Sequence, residues 1–133
     1  MIQDLTIIKQ KQSMKIIIAG SRSFTDYKKL CEICDNILQD QTDVEIVSGA
    51  YYKGADLLGE KYAAEKGFRL TKFPADWNRF GKAAGPKRNE QMVNYANALI
   101  AFWDGKSKGT KHMIEVAKKE NLIVKIINFE TSS

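Results

Sequence analysis

From Lys15 onward, short aliphatic runs alternate with longer amphipathic stretches. The runs are KIIIA at 15–19, VEIVS at 44–48, FRLTKF at 68–73, ALIAFW at 98–103 and LIVKII at 122–127. Such compact, nearly continuous apolar runs predict strands buried on both faces, as in a parallel sheet covered by crossover helices. The stretches between them predict helices over about Asp26–Gln39, Ala55–Lys66, Pro86–Tyr95 and Gly109–Glu120. Thr25 or Asp26 can cap the first helix, Gly67 suits a left-handed C-cap, and Pro86 suits a helix start. The fold class that follows is α/β, a three-layer domain with a central, mostly parallel five-stranded sheet flanked by helices.

A chain of 133 residues fits one domain, and no internal repeat or Pro-rich linker divides it. The expected boundaries are a leader at 1–13 (disordered or an edge strand), the domain at 14–128, and a tail at 129–133. With 44% hydrophobic and 28% charged residues the balance is that of a soluble globular protein. No apolar run approaches the roughly 20 residues that span a bilayer, and MIQDLTIIKQKQSMK lacks a signal h-region, so a cytoplasmic location is expected. The formal charge of +5 suits an anionic partner. Because Lys and Arg are scattered, phosphate ligand and nucleic acid both stay open. Cys31 and Cys34 form a CxxC, but Leu30, Cys34, Ile37 and Leu38 make an apolar helical stripe. That context argues for core or surface thiols over redox or zinc chemistry, and no metal site is expected.

Strands of a parallel sheet end at one edge, so the turns that follow them gather in space. Three such turns are glycine-rich: GSRS at 20–23, SGAYYKGAD at 48–56 and DGKSKGT at 104–110; a fourth, GPKRN at 85–89, opens a helix. Helix starts offer unpartnered N–H groups and the positive end of the helix dipole, which suit phosphate oxygens. Ser21, Ser107 and Thr110 can add hydroxyls, and Arg22, Lys87 and Arg88 add charge. One ligand can touch all four turns.

Other residues carry two readings each. Asp56 is either an early-turn acid placed by the helix dipole or a partner for ribose hydroxyls. Asp104 is either a turn residue or an acceptor for a ribose or base edge. Trp77, Phe80, Tyr51 and Tyr52 either stack on a nucleobase or cover the core or an oligomer interface.

Four segments carry a family resemblance: IIIAGSRSF at 16–24, GADLLGEKYAAEKG at 54–67, FPADWNRFGKAAGPKRNEQMV at 73–93 and ALIAFWDGKSKGTKHMIEVAKK at 98–119. Over about Lys15 to Ile127 the chain resembles the YspA-like branch of the SLOG superfamily, whose relatives include the LOG phosphoribohydrolases and DprA. The resemblance implies a Rossmann-like sheet and a nucleotide-derived ligand, with NAD-related and ADP-ribose-type molecules foremost. Its glycine-turn positions fall on Gly20, Ser21, Arg22, Gly49, Gly54, Ala55, Asp56, Arg88, Asn89, Gly109 and Thr110. Two departures stand out. The usual SGGARGAD is here SGAYYKGAD, one residue longer, and the position of the LOG glutamate is Met113. Glu115 lies two residues further, a helical rotation of roughly 200° that should turn it away.

The function expected first is a module that senses or sequesters a nucleotide derivative, with no other cofactor assigned. A LOG-type hydrolase of N-glycosidic or phosphate bonds comes second and would draw its acid or base from Asp56, Asp104 or Glu115. DprA-like DNA binding comes third. The superfamily resemblance also suggests a homodimer or a higher homo-oligomer.

Overall fold

The computed structural model describes residues 13–130, so the expected leader, apart from Ser13, and the end of the tail lie outside the described residues. In chain order the elements are β1 (Met14–Gly20), α1 (Tyr27–Leu38), β2 (Val44–Ser48), α2 (Ala55–Lys66) and β3 (Arg69–Lys72). They continue with α3 (Trp77–Phe80), α4 (Ala84–Tyr95), β4 (Ala98–Trp103), α5 (Lys108–Lys119) and β5 (Ile123–Asn128). The sheet has the order β3-β2-β1-β4-β5, with every neighbouring pair parallel. This is the Rossmann-like α/β architecture the aliphatic runs predict.

Successive residues of a strand point to opposite faces, and here both faces are covered. Ile16 and Ile18 of β1 join one core layer with Leu30, Cys34 and Leu38 of α1 and Tyr62 of α2. Ile17 and Ala19 join the other, with Met92 and Val93 of α4 and Met113 and Ala117 of α5. β4 repeats the pattern, Ile100 and Phe102 facing the first layer, Leu99 and Ala101 the second. Cys34 sits in the first layer, where burial pushes its thiol up to about 12, as befits a core thiol.

Local capping follows the sequence. Asp26 accepts the Lys29 N–H at 3.1 Å to start α1, and Gly67 closes α2 in the left-handed conformation. The segment after β3 departs from a plain loop: Asp76 accepts the Arg79 N–H at 3.1 Å and starts the single turn of α3. A helix that short shows no apolar periodicity. α4 begins at Ala84, ahead of Pro86, which remains within the first turn where N–H groups have no intrahelical partner.

The strand order reverses at β1. The chain steps outward through β2 and β3, then crosses back to lay β4 on the other side of β1. α1 therefore leaves β1 for one face and α5 leaves β4 for the other, which opens a crevice at their carboxyl ends.

Candidate ligand-binding site

That crevice is a cavity of about 650 Å³. Its walls are Gly20, Ser21 and Arg22 after β1; Gly49, Tyr51 and Asp56 after β2; and Trp77, Pro86, Arg88 and Asn89 from α3 and α4. Ser107, Gly109, Thr110, His112 and Met113 close it from the turn after β4 and from α5. All four glycine-bearing turns meet here, in a space within the size range of small-molecule pockets.

The floor is the junction of β1 and β4. A Cβ on Gly20 would lie 2.1 Å from the Phe102 carbonyl oxygen, so only glycine lets the two turns touch. The Ser21 N–H donates to that same oxygen at 2.9 Å, and Ser21 Oγ accepts the Asp104 N–H at 3.1 Å. The Ser107 hydroxyl lies 2.9 Å from Asp104 Oδ2 and 3.0 Å from Ser21 Oγ, so the two serines engage each other and Asp104. Asp104 Oδ1 accepts the Lys106 and Ser107 N–H groups at 2.8 Å each. Burial pushes its carboxyl up, but these hydrogen bonds outweigh that effect and hold it down to about 2. Asp104 thus organises the turn and stands behind the cavity wall.

Gly49 marks the second close approach. A Cβ there would lie 2.7 Å from Arg88 Nη1 and 2.8 Å from Asp56 Oδ2, so a basic and an acidic side chain converge on one glycine. Arg88 Nη1 donates to the Gly49 carbonyl, fastening α4 to the turn after β2. Burial lowers the Arg88 guanidinium, yet an arginine stays charged in such a setting. Asp56 is buried; burial raises its carboxyl, and the Tyr51 N–H, donated to Oδ2 at 3.1 Å, and Arg88 only partly oppose this. Within this lengthened turn Ala50 adopts a left-handed φ of 62°. Tyr51 then lies flat beneath Arg22, whose guanidinium carbon is 4.0 Å from the ring centroid.

Several predicted residues take supporting places. Gly54 packs under the first turn, where a Cβ would lie 2.6 Å from Arg22 Cα, and the Ala55 N–H donates to the Ser21 carbonyl at 3.3 Å. Lys87 is exposed, its Nζ 4.9 Å from the Phe80 ring centroid and outside the cavity wall. Trp77 lines the mouth and is half exposed, whereas Tyr52 points to solvent. Met113 lines the cavity and Glu115 is exposed, as the helical rotation requires. Among the described residues no group of three His, Cys, Asp or Glu side chains converges as a metal site.

Beyond the residues singled out in the sequence, the wall includes Lys53 and Lys108, which lie within the turn motifs, and Met92 and His112, which lie outside them. Of these, His112 has a legible signal, since it follows Gly109 by three residues and so shares a face with it on α5.

The fold and crevice define a Rossmann-like α/β domain with its cavity at the topological switch point. The family profile described as YspA, cpYpsA-related SLOG family matches residues 14–80. The chain is 32% identical over 122 residues to the Gene 61 protein of Mycobacterium phage D29, covering 86% of this chain and 95% of that protein. It is 40% identical over 43 residues to the SPbeta prophage-derived protein YoqJ of Bacillus subtilis strain 168, covering 32% of this chain and 25% of YoqJ. Among solved structures, DNA processing protein A (DprA) of Streptococcus pneumoniae superposes with a TM-score of 0.69 at 17% identity, over 88% of this chain and 50% of DprA. The chain belongs to the YspA, cpYpsA-related SLOG family.

Proposed function

We propose that the cavity binds a nucleotide-derived anion of the NAD or ADP-ribose type and that the protein acts as a sensing or sequestering module. The observation that carries this reading is the half-buried Arg88 in the cavity wall, facing glycine turns and the open start of α5. A guanidinium and free helix N–H groups converging on one concave space form an anion site. Tyr51 and Trp77 at the mouth offer faces for a base.

A second reading, a LOG-type hydrolase, draws on Asp56. It is a buried acid in the wall with a raised carboxyl, a property of groups that exchange protons at work. Met113 in place of the LOG glutamate weighs against it. DNA binding rests on fold analogy with DprA and on the net charge of +5. Among the described residues no helix is long and apolar enough to cross a membrane, and a cytoplasmic homo-oligomer completes the reading.

The test is a thermal-shift panel of ADP-ribose, cyclic ADP-ribose, NAD, ATP and AMP, with products followed by mass spectrometry. A ligand at about 100 times its Kd stabilises the fold by roughly 2.7 kcal/mol. The expected result is a shift with unchanged ligand, lost in Arg22→Ala and in Arg88→Gln. Product formation abolished by Asp56→Asn would make the protein a hydrolase. No shift with any nucleotide would sink the proposal, and retention on DNA falling steeply with salt would replace it.

A further inference from the structure

The inference rests on reading the cavity as an anion site and concerns His112, which no turn motif marks. Its geometry is fixed through Asn89, whose side chain is buried between α4 and α5. Arg88 Nε, able only to donate, lies 3.2 Å from Asn89 Oδ1. The Gly109 carbonyl, able only to accept, lies 3.2 Å from Asn89 Nδ2. The two contacts agree on the orientation of the amide. Nδ2 has a second hydrogen, and His112 Nδ1 lies 3.1 Å away. Nδ1 must therefore accept, and the neutral imidazole carries its proton on Nε2.

We propose that His112 is a positioning and specificity residue, presenting a fixed Nε2–H to a phosphoryl oxygen of the ligand at the start of α5. The ring lines the cavity, and among the described residues no hydrogen bond engages Nε2. The first intrahelical bond at this end of α5 runs from the Lys111 N–H to the Ser107 carbonyl at 3.1 Å. The helix N–H groups before it lack such partners, and Lys108, Gly109 and Thr110 line the same cavity as His112. An oxygen that carries no hydrogen satisfies this cluster, and a group that can only donate does not. Arg88 supplies both the charge and, through Asn89, the orientation of His112, so one side chain sets charge and tautomer together.

The experiment uses the full chain and ADP-ribose, with binding measured by calorimetry. His112→Asn keeps an acceptor near Nδ1 for Asn89 but has no donor at the Nε2 position; His112→Gln keeps a donor near Nε2. Loss of a hydrogen bond to a charged oxygen weakens binding by about tenfold or more, expected for His112→Asn, while His112→Gln stays within about threefold. A purely structural role would give the reverse, with His112→Asn silent and His112→Gln destabilised in a melting curve. Long-range ¹H–¹⁵N spectra of the unliganded protein test the tautomer directly: Nε2 should carry the proton. A proton on Nδ1, or full affinity in His112→Asn, would overturn the inference alone. Failure of the wild-type chain to bind ADP-ribose or any other nucleotide of the panel would overturn the cavity reading, and this inference with it.

Discussion

Two acidic side chains lie at opposite ends of the sheet, both little exposed but Asp56 set the deeper: Asp56 is 8% exposed at the carboxyl end and Glu45 is 7% exposed at the amino end. Burial alone pushes both carboxyls up, yet they finish on opposite sides of their ordinary values. Glu45 accepts hydrogen bonds from the Thr71 hydroxyl at 2.7 Å and from the Tyr95 hydroxyl, with Arg69 Nε 3.7 Å away. Those partners outweigh burial and hold it below the usual carboxylate range. Asp56 receives the Tyr51 N–H, and Arg88 and Arg22 act on it as charges, but burial wins and its carboxyl is raised. A saturated acid fastens β2 to its neighbours; an unsaturated one, facing a cavity, is left with unspent affinity for a donor.

This contrast is broken most strongly at the amino end. Glu45→Gln should cost about 2 kcal/mol at pH 7 in denaturant unfolding, because charge-assisted bonds to two hydroxyls are weakened. A depressed carboxyl contributes stability above its unfolded pKa and loses it as pH falls through the folded one. The gap between wild type and Glu45→Gln should therefore close in acid. Asp56→Asn should have the opposite sign, stabilising the free protein by about 1 kcal/mol at pH 7, since a buried charge with few partners is removed. A raised carboxyl contributes fully below its unfolded pKa and loses that contribution as pH rises through the folded one. The advantage of Asp56→Asn should thus vanish toward acid, and equal slopes for the two variants would refute the comparison. The smallest effect concerns backbone strain. Ala50 at the cavity end and Asn121 at the amino end both hold a φ of 62°, but only asparagine takes that conformation readily. Ala50→Gly should stabilise by about 0.5 kcal/mol in a melting experiment, the relief being offset by added freedom of the unfolded chain.

Much of this architecture is legible in the sequence because strands buried on both faces leave unbroken aliphatic runs. The runs at 15–19, 44–48 and 98–103 fall on β1, β2 and β4 within two residues. FRLTKF overreaches β3, whose ends are edge positions where side chains need not be apolar. The turns that meet at the cavity follow from parallel topology and their glycines. What each polar side chain does there does not follow, since it depends on contacts across large separations. Ser21 and Asp104 meet across 83 residues, and their bond decides that Asp104 organises a turn. Asn89 and His112 meet across 23, and without that contact His112 is a lone histidine on a helix.

The placement of β1 also sets a timetable. Its register with β2 closes through Ile17 and Val47 early in the chain, but its other neighbour, β4, begins only at Ala98. During synthesis, a chain that has emerged as far as β3 can pair three strands, yet Gly20 has no Phe102 to lie against and Ser21 no Asp104 to accept from. Pairings of such long separation form late in folding. The floor of the cavity is therefore completed only after β4 has been made, although the contacts of Gly54 with Arg22 and of Arg88 with Gly49 join residues made before it.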